Sequence, residues 1–153
     1  MDYRDNIVET FKDESIHFVA AIAVFVVLFI YYNNMAFALV GFLSSLIVDI
    51  DHLFDYFLVK GFTFDVKAVF TGEVFAASKK IILPLHGWEY AAILLFVFYV
   101  TRNPVFVSIS LGLFIHYLVD FFTNHVEPLS YFIIYRILIG FDIKRIIKNY
   151  ACR

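Results

Sequence analysis

His116 and Asp120 stand four residues apart in Gly112-Leu113-Phe114-Ile115-His116-Tyr117-Leu118-Val119-Asp120-Phe121-Phe122-Thr123, the end of an apolar run that begins at Pro104. On a helix this spacing puts an imidazole and a carboxylate one turn apart on the same face. Charged groups near the centre of a membrane helix cost roughly 2.5–3.5 kcal/mol each on insertion scales, so such a pair is expected to have a task. Three more polar groups punctuate the apolar runs: His17 near the first, Asp49-Ile50-Asp51-His52 and Asp55 at the end of the second, and His86 with Glu89 at the start of the third. Imidazole and carboxylate without thiolate suit a divalent transition metal such as Zn²⁺, Mn²⁺ or Fe²⁺. The number of carboxylates leaves room for one ion or two, and the chemistry predicted is hydrolysis, with Glu89 as the spare carboxylate acting as general base.

The elements that must carry these residues follow from composition. The chain has 153 residues, 62% of them hydrophobic, with 20 Phe and 10 Tyr. That is well above the roughly 45–50% apolar content of a soluble domain, so the excess faces lipid. One single-domain, all-α, polytopic membrane protein is predicted over residues 1–153, with spans at about 16–32, 35–50, 86–101 and 104–123. Twenty residues from Pro104 to Thr123 are enough helix to cross a core of roughly 30 Å. Asn33-Asn34 and Arg102-Asn103-Pro104 have the composition of tight turns. If the stretch after Val48 stayed helical, Asp49 would share a face with His52, and Asp51 with Asp55, so convergence of all four requires the helix to end or bend there. Residues 51–85 are predicted to form a cytoplasmic loop with an interfacial helix from Asp65 to Ser78. A C-terminal interfacial amphipathic helix is predicted at 129–150, because an apolar stretch of 13 residues containing Arg136 is too short to span. The acidic start and the lack of a cleavage signal predict a retained first span, and the single cysteine, Cys152, rules out an internal disulfide.

Four spans put the N-terminus, residues 51–85 and the C-terminal segment on one side. Eleven of the twelve Lys and Arg lie there, and only Arg102 lies opposite. The positive-inside rule makes that side cytoplasmic, with both termini inside a cell inner (plasma) membrane. His17, Asp49, Asp51, His52, His86, Glu89, His116, Asp120 and His125 then all fall in the cytoplasmic third, which predicts that helices in a bundle bring them to one point. Partners predicted by this arrangement are the lipid bilayer and an amphiphilic small-molecule substrate. A net charge of −2 with scattered basic residues gives no footprint for nucleic acid.

Asp49-Ile50-Asp51-His52 closing a span, a histidine opening the next, and Gly112-(x)3-His116-(x)3-Asp120-(x)2-Thr123 followed by Pro128 resemble the bacterial and archaeal inner-membrane metal-dependent hydrolase family of the LexA-regulated type. That family's pattern reads Pro-Asp-x-Asp-His, then His-Arg-Gly-x-Thr-His-Ser, then Gly-(x)3-His-(x)3-Asp-(x)2-Thr. The resemblance spans roughly residues 16 to 128 and implies metal-binding roles for Asp49, Asp51, His52, His116 and Asp120, with His17 matching an early histidine. Val48 stands where the family has proline, and the 85–89 segment keeps one histidine but lacks the arginine and the second histidine. Two other classes fit the same residues: a non-catalytic metal-binding or ion-handling membrane protein, and a structural membrane protein in which His116 and Asp120 only pin helices together, at about 0.6 kcal/mol for such a bond.

Overall fold

The computed structural model describes residues 3–63, 65, 73–124 and 126–148. In chain order the elements are α1 (Tyr3–Tyr32), α2 (Met35–Ile47), a 3-10 turn (Val48–Ile50), α3 (Asp51–Lys60), α4 (Glu73–Ser78), α5 (Trp88–Thr101), α6 (Pro104–Thr123), a second 3-10 turn (Pro128–Tyr131), α7 (Ile133–Leu138) and α8 (Ile143–Ile146). Among the described residues there is no β-strand, only the isolated bridges Lys80 with Asp142 and Val126 with Ile147. Lys12–Tyr32, Met35–Lys60 and Pro104–Thr123 are long and apolar enough to cross a membrane. The 14 residues of α5 extend only about 21 Å, short of the roughly 30 Å hydrocarbon core.

The two tight turns form where asparagine chemistry predicts them. Asn33 adopts a left-handed φ of 48°, and Asn34 Oδ1 accepts the Ala36 N–H at 2.9 Å to cap α2. Arg102 is left-handed at φ 57°, Asn103 Oδ1 accepts the Val105 N–H at 3.0 Å, and Pro104 takes the first turn of α6. Each turn is satisfied by its own neighbours.

α6 is the central element and packs against α1, α2 and α5. Small residues allow its close crossing of α2. A Cβ at Gly112 would lie 2.3 Å from the Gly41 carbonyl oxygen and 2.3 Å from Ser44 Oγ, so only glycine fits there. On the other flank Ser110 Oγ donates to the Ala91 carbonyl at 2.7 Å, joining α6 to α5.

Two expectations are corrected, and a third falls partly outside the described residues. The predicted loop begins as the helix α3, because the apolar run with Phe54, Tyr56, Phe57 and Leu58 stays helical until Gly61, which takes a positive φ of 68°. Of the helix predicted from Asp65 to Ser78, α4 covers the last part, and most of residues 64–72 lie outside the described residues. The single C-terminal helix is broken into the second 3-10 turn, α7 and α8. Phe132 is extended, and Gly140 and Phe141 take positive φ of 66° and 60°, which no continuous helix accommodates.

Candidate metal centre

The Gly112 crossing has a direct consequence one turn further along α6. It brings the Ser45 carbonyl oxygen within 2.8 Å of His116 Nδ1. A carbonyl only accepts, so Nδ1 carries a proton, and in the neutral imidazole Nε2 is the free lone pair. The helix change at Val48–Ile50 then separates the acidic residues by direction. Asp49 turns its Oδ1 to within 3.4 Å of both His86 Nε2 and His116 Nε2. Asp51 and Asp55 share a face of α3, as helical spacing requires, and both grip the segment that carries His86. Asp51 Oδ2 accepts the Leu85 N–H at 2.8 Å and the His86 Nδ1–H at 2.9 Å, while Asp55 Oδ2 accepts the Ile82 and Leu83 N–H groups at 2.9 and 3.2 Å. His86 precedes the extended N-cap Gly87 and so is not on α5. The span expected from residue 86 thus enters its helix two residues later, at Trp88.

With both Nδ1 positions engaged elsewhere, the two Nε2 atoms face each other at 3.3 Å. Asp120 Oδ2 lies 3.4 Å from His86 Nε2 and 3.3 Å from His116 Nε2, and it has no hydrogen-bond partner. Charge-assisted hydrogen bonds are shorter, about 2.7–2.9 Å. Ligand atoms about 2.0–2.1 Å from a common tetrahedral ion, however, stand about 3.3–3.4 Å from one another. Five separations among these four atoms have that value. His86, His116 and Asp120 are buried, and Asp49, with 28% of its side chain exposed, lies on the open side. Buried His and Asp groups close enough to hold a metal ion are thus present, and the donor set fits one.

The remaining predicted residues sit around this core. His17 packs its ring 4.2 Å from that of His116 and brings Nε2 to 3.2 Å from Asp120 Oδ1, so Asp120 faces a histidine with each oxygen. Asn124 Nδ2 also donates to Asp120 Oδ1, at 3.0 Å. His52 is partly exposed, 3.8 Å from Asp49 Oδ1, with its ring against His86 at 5.5 Å. Asp51 acts on His86 rather than joining the central four atoms. Glu89 is not brought to the cluster: its Oε1 accepts the Ile134 N–H at 3.1 Å, bracing α5 against α7. His125 lies outside the described residues.

Three participants escape the residue pattern. The Ser45 carbonyl has no side-chain signal, and Tyr117, whose hydroxyl donates to the Leu85 carbonyl at 2.6 Å, reads as one aromatic among many. Arg136 does carry a signal, as a lone cation within an apolar run, but in the sequence it argues only against a further span. It is 2% exposed, with Nη1 donating to the Ile82 and Leu83 carbonyls at 2.6 and 2.8 Å and Nη2 donating to the His86 carbonyl. Burial pushes its pKa down, opposed by the charges of Asp51, Glu89 and Asp55.

No family model, no curated protein and no solved structure matches this chain. The fold and the site define an all-helical protein with membrane-length helices and a His/Asp group able to hold a metal.

Proposed function

We propose that this protein is a membrane-embedded, metal-dependent hydrolase acting on a lipid-like ester, of which a phosphoester is the best chemical fit, at the cytoplasmic interface of the inner membrane. The observation that carries the reading is the convergence of His86 Nε2, His116 Nε2, Asp49 Oδ1 and Asp120 Oδ2 at metal-ligand spacing, with both imidazole tautomers fixed from behind. In this reading α5, completed by the segment before it, is a fourth span, and both termini are cytoplasmic, as the distribution of Lys and Arg supports.

His86, His116, Asp49 and Asp120 would hold a divalent ion, Zn²⁺, Mn²⁺ or Fe²⁺, which would supply Lewis-acid polarisation of an ester or phosphoryl oxygen and a lowered pKa for water. The protein's residues supply the rest. Asp51 and the Ser45 carbonyl hold the imidazoles in the tautomer that leaves Nε2 free. Burial of His116 and Asp120 keeps bulk water from competing at the inner side. Glu89, bonded to Ile134, is replaced in the general-base role by His52, which borders the open side beside Asp49. The exposed apolar side chains of the bundle, such as Ile30, Phe96 and Phe122, keep the site at the lipid boundary, where an amphiphilic substrate resides.

The test is turnover of lipid phosphoesters by detergent-purified protein. Asp120→Asn and Asp49→Asn are expected to reduce it to background with helix content retained. Equal turnover by wild type and both variants, in the presence of added Zn²⁺ or Mn²⁺, rejects catalysis at this site.

A further inference from the structure

We infer that Arg136 is a positioning residue of the metal centre: from the C-terminal segment its guanidinium fixes the backbone around His86, and so sets where the His86 imidazole meets the other ligand atoms. This rests on the metal reading above, and adds to it a residue that touches no ligand atom of the cluster.

The segment from Ile81 to Gly87 is neither helix nor strand, so its course is dictated by side chains. Its N–H groups are held from one flank by Asp51 and Asp55. Its carbonyls are held from the other, that of Leu85 by Tyr117 and those of Ile82, Leu83 and His86 by Arg136. Three carbonyls converging on one guanidinium require several donors in a fixed planar fork, which arginine has and lysine lacks. The carbonyl of His86 is among them, so the metal-facing residue is gripped at its backbone by Arg136 and at Nδ1 by Asp51.

The packing of α7 argues against a role confined to anchoring the tail. Arg136 is its only buried residue, whereas Ile134, Ile137 and Leu138 face outward. Three of its four aliphatic side chains face outward and Ile133 is half-buried, and what α7 delivers to the interior is the guanidinium. Phe141 N–H bonds the Arg136 carbonyl at 2.9 Å and Ile81 N–H bonds the Phe141 carbonyl at 3.0 Å, which locks the same turn onto the start of the His86 segment.

The experiment is Co²⁺ binding to the full chain in detergent, followed by the visible absorption of the bound ion, for wild type, Arg136→Met and Arg136→Lys, with helix content measured in parallel. Arg136→Met is expected to bind Co²⁺ about 10–100-fold more weakly, the usual effect of removing a residue that orients a ligand. Its bound spectrum should also change, because His86 no longer holds its position. Arg136→Lys, able to satisfy only part of the carbonyl set, should recover part of both. Wild-type affinity and spectrum in Arg136→Met overturn the inference. Loss of helix content in both variants also overturns it, since Arg136 would then be a folding residue. A wild-type protein that takes up no Co²⁺ overturns the metal reading itself, a result distinct from either.

Discussion

At one end of the helices, α1 passes into α2 and α5 into α6 through two residues each, Asn33-Asn34 and Arg102-Asn103. At the other end the same four helices bear or adjoin His17, Asp49, His86, His116 and Asp120, drawn from positions far apart in the chain. The turns are closed by bonds between residues two to four apart, Asn34 to Ala36, Asn103 to Val105 and Arg102 N–H to the Phe98 carbonyl. The polar end depends on bonds such as Ser45 to His116, Asp51 to His86 and Arg136 to Ile82, spanning 71, 35 and 54 residues. One end needs only its own sequence to form. The other exists only when the helices have already packed, and the Gly41 and Gly112 crossing is what sets their distance.

This contrast can be broken at either end. Asp51→Ala removes the acceptor for His86 Nδ1 and for the Leu85 N–H, and is expected to weaken metal uptake about 10–100-fold; equilibrium dialysis with Zn²⁺ checks it, and wild-type affinity would return Asp51 to an ordinary helix end. Gly112→Leu forces a side chain into the Gly41 carbonyl and Ser44 Oγ, which should cost about 1–3 kcal/mol of stability. Because the crossing also fixes the Ser45 to His116 bond, uptake should fall with it, and a stable variant with full uptake would separate the site from the crossing. Asn34→Ala, at the opposite end, should cost about 1 kcal/mol in thermal or denaturant unfolding and leave metal affinity unchanged. Glu89→Gln should have the smallest effect, since its side-chain oxygen can still accept the Ile134 N–H; loss of turnover at full metal content would restore Glu89 as the base.

The same division explains what the sequence makes legible. Hydrophobic runs, asparagine turns and the i, i+4 pair His116 and Asp120 are local patterns, and helices of membrane length appear at three of the four apolar runs, the run at 86–101 giving the shorter α5. The gathering of His17, Asp49, His86, His116 and Asp120 is also legible, because antiparallel packing of successive apolar helices puts every one of them at the same end. A change of helix is expected after Val48 if Asp49, Asp51, His52 and Asp55 are all to converge; a 3-10 turn stands there, and Asp49 reaches the centre while Asp51 and Asp55 hold the backbone before His86. What is not legible is which acidic residue faces the centre and which faces a backbone. That depends on the course of residues 82–86, a segment with no periodicity of its own. The partners of Arg136 and Glu89 are illegible for the same reason: each interacts with a segment more than 40 residues away, and an isolated charge in an apolar stretch gives no clue to its partner.

The central claim is that His86, His116, Asp49 and Asp120 hold a divalent ion. The most direct measurement is metal content per chain, by elemental analysis of protein purified in detergent without chelator, for wild type and for His116→Ala combined with Asp120→Ala. The account predicts one or two transition-metal ions per wild-type chain, and their loss in a double variant that keeps its helix content. A wild-type protein that is metal-free and takes up no Zn²⁺, Mn²⁺ or Fe²⁺ on addition would contradict it.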